Sequence, residues 1–128
     1  MSGPDGFGPC EAWGILSDEK LVGALVFSAH DRDVGDLFLH AVSLDGNWTG
    51  PEVWQAVSDY VFNMLGCERL SMILPKGAKK TRDAVERLGF VMEGVRRRAF
   101  HGGVNAIMYG MLREECRWLP QHRTRAAA

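Results

Sequence analysis

The chain is poor in cysteine, nearly neutral and without a long apolar run, and each shortage closes off a class of protein. Cys10, Cys67 and Cys116 are its three cysteines. Their number is odd, their spacing is wide and no Cys-x-x-Cys pair occurs. Neither a disulfide framework nor a zinc knuckle is therefore expected, and free thiols in a reducing cytosol are. No stretch reaches the roughly 18 apolar residues of a bilayer span. Residues 1–9 hold Gly3, Pro4, Gly6, Gly8 and Pro9 with no basic segment ahead of an apolar one, which speaks against a secretory leader. Fifteen Lys and Arg face sixteen Asp and Glu, for a net charge of -1, so no global field favours nucleic acid or a membrane surface. His30, Asp31 and Asp33 carry metal-compatible atoms without ligand spacing, and no metal is expected.

What is there suits one packed unit. With 128 residues, 46% hydrophobic and 24% charged, the chain can bury a core as a single domain over residues 1–128. Residues 1–11 read as a flexible lead-in and residues 120–128 as a tail. An apolar run from Trp13 to Ser17, the polar turn Asp18-Glu19-Lys20 and a second run from Leu21 to Ser28 read as a hairpin. Asp36 to Leu44 is apolar on both faces, as a central strand is.

Thr49-Gly50-Pro51-Glu52 has the spacing of a capping box, Thr49 as cap and Glu52 three residues on. Val53, Trp54, Val57, Val61, Met64 and Leu65 then share one helical face, and Gly66 stops the helix. Arg69 to Leu74 is a strand, Lys79 to Leu88 a second helix ended by Gly89, and Phe90 to Gly94 another strand. Arg96-Arg97-Arg98 and a turn at Gly102-Gly103 lead to a last strand, Ala106 to Leu112. This order implies helices packed on a mainly antiparallel sheet.

Leu88-Gly89-Phe90-Val91-Met92-Glu93-Gly94 resembles the motif that follows the last helix of GNAT N-acetyltransferases. Val53 to Leu70 resembles the family's long helix running into its fifth strand. Tyr109-Gly110-Met111-Leu112-Arg113-Glu114-Glu115 resembles the closing strand of the branch that modifies ribosomal proteins and antibiotics, an ending also associated with phage-encoded members. The resemblance spans Trp13 to Trp118. It implies an α/β (α+β) fold, a mixed, mainly antiparallel sheet with helices on both faces. It also implies acetyl-CoA as cofactor and a small-molecule or protein amine as acceptor.

By that resemblance two parallel strands splay apart, and the pantetheine arm pairs with the free edge from Phe38 to Leu44. Backbone N–H groups at Val42, Ser43 and Leu44 polarise the thioester carbonyl. The pyrophosphate sits at Asn47, Trp48, Thr49, Gly50 and Pro51, where a helix N-terminus favours an anion. Three departures stand against this pattern. Pro51 removes a backbone donor. Glu52 brings a carboxylate toward the diphosphate. Ala78 stands where the family has an asparagine, and it cannot make that hydrogen bond. Lys76, Lys79 and Lys80 cluster near the same loop and can pair with phosphates.

Acetyl transfer needs a base for the ammonium proton and an acid for the departing thiolate. Asp36 matches the position of a glutamate in histone-acetylating members. His40 lies four residues on, on the same strand face. The second helix lacks the tyrosine that many members use as acid, and Tyr60 and Tyr109 are the two tyrosines of the chain. Tyr109 on the last strand is the candidate. Two family helices that shape the acceptor pocket have no counterpart ahead of the hairpin. The acceptor side is expected to be open, or covered by a second copy or a larger assembly such as a phage particle. A catalytically degenerate binding or structural module is therefore the alternative to an enzyme.

Overall fold

A computed structural model describes residues 10–17, 19–43 and 50–121, with backbone only at 10, 17, 22 and 41–43. Strands β1 (Cys10–Ser17) and β2 (Lys20–Asp31) form the hairpin, and β3 (Asp36–Ser43) pairs antiparallel with β2. Helix α1 (Pro51–Ser58) runs into a π-helical segment, Asp59–Met64, before β4 (Arg69–Pro75). Helix α2 (Lys79–Leu88), β5 (Val91–Phe100) and β6 (Val104–Leu112) complete the order. Short 3-10 turns, His101–Gly103 and Arg113–Glu115, flank β6.

The strands form one sheet in the order β1-β2-β3-β4-β6-β5, with β6 inserted between β4 and β5. Among the described residues, only β3 and β4 are parallel neighbours; the other four pairings are antiparallel. The mixed, mainly antiparallel sheet expected from the sequence is therefore present. β5 runs past Gly94 through the arginine triplet to Phe100, longer than its apolar pattern foretold, because pairing with β6 continues beyond the apolar residues.

The distribution of helices differs from the expectation of helices on both faces. Trp13, Phe27 and Tyr60 pack together, so the π-helical segment covers the face that carries Trp13 and Phe27. Arg82 and Glu86 of α2 both bond the hydroxyl of Tyr109, which pairs with Met72. Met72 shares its face with Leu70 and, through the ladder, with Leu37 and Leu39. Both helices thus lie on one face. The cause is topological: β3, β4 and β5 point the same way and follow one another in one direction across the sheet. Two right-handed crossovers in one direction place both helices on the same side. That side holds the core, in which Leu25, Leu39, Val57, Val61 and Phe62 are fully buried.

The helix ends follow local chemistry. Gly89 has φ 115, a conformation that costs glycine little, and closes α2. At α1 the cap is Gly50, with Pro51 in the first turn and no side-chain cap bond, so the helix starts one residue later than expected and the expected capping box is not seen among the described residues.

Candidate active site

β3 and β4 pair over three positions only, Asp36 with Arg69, Leu37 with Leu70 and Phe38 with Ser71. Beyond these, β3 stays with β2 as far as Ser43, and β4 stays with β6 as far as Pro75. The two strands therefore diverge, and their facing backbone groups from Leu39 and Met72 onward leave the ladder. Such unpaired polar groups need partners. An extended chain with amide groups can supply them from inside the opening.

The opening faces the carboxyl ends of β3 and β4, and both helices begin there. α1 starts after β3, at Pro51, and α2 starts after β4, at Lys79. Neither N-terminus carries a side-chain cap among the described residues. Two helix starts, each with a positive dipole end, thus flank one crevice, a place where open α/β sheets bind ligands. The two mouths differ in charge. At α1, the carboxylate of Glu52 folds back toward Gly50: Oε2 lies 3.1 Å from where a Cβ on Gly50 would sit. Around α2, Lys76, Lys79 and Lys80 are exposed, and Lys79 lies 3.5 Å from Asp83 in an exposed pair.

Trp54, one turn into α1, is 4% exposed, and its indole N–H has no acceptor among the described residues. A buried indole ordinarily finds one. The ring packs edge-on against Phe90, at the end of α2, with centroids 6.3 Å apart. An amphipathic pattern alone reads Trp54 as core, and only this missing partner marks it as a candidate ligand contact.

The face of the sheet away from the helices carries Asp36 and His40 together, as their spacing predicted. Asp36 accepts a hydrogen bond from Ser71 Oγ at 2.6 Å and stands 3.4 Å from Arg69 Nε. Arg69 in turn donates to Ser71 Oγ at 2.9 Å and to Glu93 at 2.5 Å. These groups line a hollow of about 270 Å³ with Phe38 and Ile73. The Arg69–Glu93 pair raises the guanidinium pKa further and lies flat over Gly110. A Cβ at Gly110 would collide with both Arg69 Nη2 and the Glu93 carboxylate. Two carboxylates against one guanidinium leave this hollow net anionic. Arg69 and Glu93 are far apart in sequence, so nothing local announced the network.

His40 Nε2 lies 3.1 Å from Ser28 Oγ. Burial pushes its imidazole below the ordinary 6.5, so it is neutral at pH 7. Tyr109 is among the residues lining the hollow with Asp36, but its hydroxyl does not join Asp36 and His40. Its ring is 1% exposed on the helix-covered face. Its hydroxyl donates to Glu86 at 2.7 Å and accepts from Arg82 at 3.2 Å. Burial and the Glu86 bond raise its pKa, against an opposing effect of Arg82. The alternation of β6 decides this: Gly110, not Tyr109, shares the face of Ser71.

Of the expected cofactor contacts, Gly50 and Pro51 are placed at the start of α1, and Val42 and Ser43 are placed by their backbone on β3. Leu44, Asn47, Trp48 and Thr49 lie outside the described residues.

In sequence, no family model and no curated protein matches the chain. Its fold, however, is found among solved structures. A protein assigned as an acetyltransferase superposes with a TM-score of 0.80 at 24% identity, over 95% of this chain and 67% of its own. A second, from T. thermophilus, gives 0.74 at 25% identity, over 91% and 64%. A mutant of the spermidine N-acetyltransferase SpeG from Vibrio cholerae gives 0.75 at 17% identity, over 92% and 72%. The chain thus spans about two thirds of the length of the first two and has the fold of GNAT acetyltransferases.

Proposed function

We propose that the chain is an acetyl-CoA-dependent N-acetyltransferase acting on a primary amine. One observation carries this reading: the split between β3 and β4, with two uncapped helix starts at its mouth. The edge of β3 beyond Phe38, which itself pairs with Ser71, is free from Leu39 to Ser43 and would take the amide groups of the pantetheine arm, and Trp54 would donate to one of its carbonyls. The phosphates would sit at the mouth between the two helix starts, drawn by Lys76, Lys79 and Lys80 and repelled by Glu52.

When bound, acetyl-CoA supplies an acetyl group as a thioester. The chain's own residues would do the rest from the far face of the sheet. The anionic hollow of Asp36 and Glu93 draws an ammonium group. His40, neutral at pH 7, accepts its proton, directly or through a water. Backbone N–H groups at Val42 and Ser43 would orient the thioester carbonyl. The likeness to a spermidine N-acetyltransferase supports a small-molecule amine as the acceptor class.

A second reading, cofactor binding without transfer, is favoured by one observation. The described tyrosine nearest the cleft, Tyr109, turns its hydroxyl to α2 and cannot protonate a thiolate in the crevice. Calorimetric titration with acetyl-CoA, followed by detection of free CoA thiol in the presence of spermidine and other amines, separates the readings. Saturable binding with amine-dependent thiol release is expected. Binding without release favours the second reading. No heat and no thermal shift at millimolar cofactor overturns both.

A further inference from the structure

Arg96, Arg97 and Arg98 lie on β5, the outer strand of the described sheet. In a regular strand, successive side chains alternate between faces. Here the pairing jumps from Arg96 with Ala106 to Phe100 with Val104, so three residues of β5 oppose Asn105 alone. Arg98 sits at φ 54, a left-handed conformation uncommon for a residue with a long side chain. Its N–H donates to Asn105 Oδ1 at 2.9 Å, which holds the bulge in place. The bulge gathers all three arginines, with Val95 and Asn105, around one hollow of about 690 Å³. The three form no ion pair with a carboxylate among the described residues, and the nearby Glu93 is engaged by Arg69.

Arginines that merely blunt an edge need not converge, and gathering like charges at a strained backbone costs free energy. The geometry points to a docking site for an extended acidic polypeptide segment along the outer edge of β5. Three observations select that occupant. The guanidinium forks match carboxylates and lack their own. The outward edge of β5 offers backbone N–H and C=O groups that an added strand can pair with. Val91, Met92 and Val95, about half exposed at 50%, 54% and 53%, leave apolar surface on the same strand and suit an apolar side chain of the guest. A nucleic-acid strand fits less well: among the described residues no aromatic ring lines the hollow for bases to stack on, and the chain's net charge is -1. The site is separate from the splayed strands and stands whether or not the chain transfers acetyl groups.

The test uses the full chain and a fluorescein-labelled peptide of alternating glutamate and valine, blocked at both ends, read by fluorescence anisotropy. Controls are the same peptide with glutamine for glutamate, and an oligouridylate. The glutamate peptide should bind saturably and the glutamine peptide should not. Binding should weaken with added salt. Three exposed charge pairs contribute a few-fold each, so replacing Arg96, Arg97 and Arg98 together by glutamine should weaken binding roughly tenfold. Arg98→Gly keeps the bulge, since glycine tolerates its φ. It should weaken binding a few-fold with an unchanged or raised melting temperature. If the triple variant fails to fold, Arg98→Gly decides. Unchanged affinity in these variants, or no binding of the glutamate peptide, overturns the proposal. Tighter binding of the oligouridylate also overturns it, in favour of a phosphate-backbone reader.

Discussion

Replacing Glu52 by glutamine should tighten the binding of coenzyme A. The carboxylate folds back toward Gly50 at the start of α1, where the crevice opens. A diphosphate seated there would carry about two negative charges within roughly 5 Å of it. In water that repulsion is ~1 kcal/mol per charge pair. Screening at ordinary salt reduces the total to ~1 kcal/mol, or about fivefold in Kd. The same carboxylate stabilises the N-terminus of α1 by ~0.3–1 kcal/mol, so the melting temperature should fall by a few degrees. Isothermal calorimetry with coenzyme A at about 50 mM and about 500 mM salt would read both the gain and its screening. A gain near fivefold that shrinks at high salt supports the reasoning. Equal or weaker binding by Glu52→Gln at low salt would refute it, because the phosphates would then not approach α1.

Trp54→Phe keeps an aromatic ring, though a smaller one, and removes an N–H that has no acceptor among the described residues. The smaller ring leaves a cavity, offset in part by removal of the unpartnered N–H, so stability should fall by about 1 kcal/mol, while coenzyme A affinity falls a few-fold; unchanged affinity would return Trp54 to a purely packing role. Gly35→Ala tests the junction of β3 and β4. Gly35 has φ 75, its carbonyl accepts from Glu68 and Arg69, and an added Cβ would meet Glu68 N at 2.9 Å. Strain plus overpacking should cost about 2–4 kcal/mol in chemical denaturation, and a loss under 1 kcal/mol would contradict the packing described. His40 titrates below its ordinary value because burial disfavours its charge. The unfolded chain then binds the proton more readily, so stability is present above about pH 6.5 and is lost as pH falls from there through the lowered value. Melting temperatures near pH 7.5 and near pH 5 should diverge less in His40→Gln than in the parent; an equal divergence would place the acid sensitivity elsewhere.

What the sequence by itself determined was local. The limits of α2 at Lys79 and Leu88 follow from amphipathic spacing and from Gly89, whose positive φ a helix stop exploits. The hairpin, β3 and β4 were legible because β-branched and aromatic runs between polar turns need no distant partner to be recognised. The shared face of Asp36 and His40 followed from the two-residue period of a strand. The tertiary structure decided everything that depends on which strand lies beside which. β3, β4 and β5 point the same way and follow one another in one direction across the sheet, which places α1 and α2 on one face. The pairing of Ser71 with Gly110 turned Tyr109 away from the cleft and made room for Arg69 to meet Glu93. The bulge opposite Asn105 turned a basic run into a converging hollow. Register between strands distant in the chain is set by the joint burial of many side chains, and no single segment carries that information.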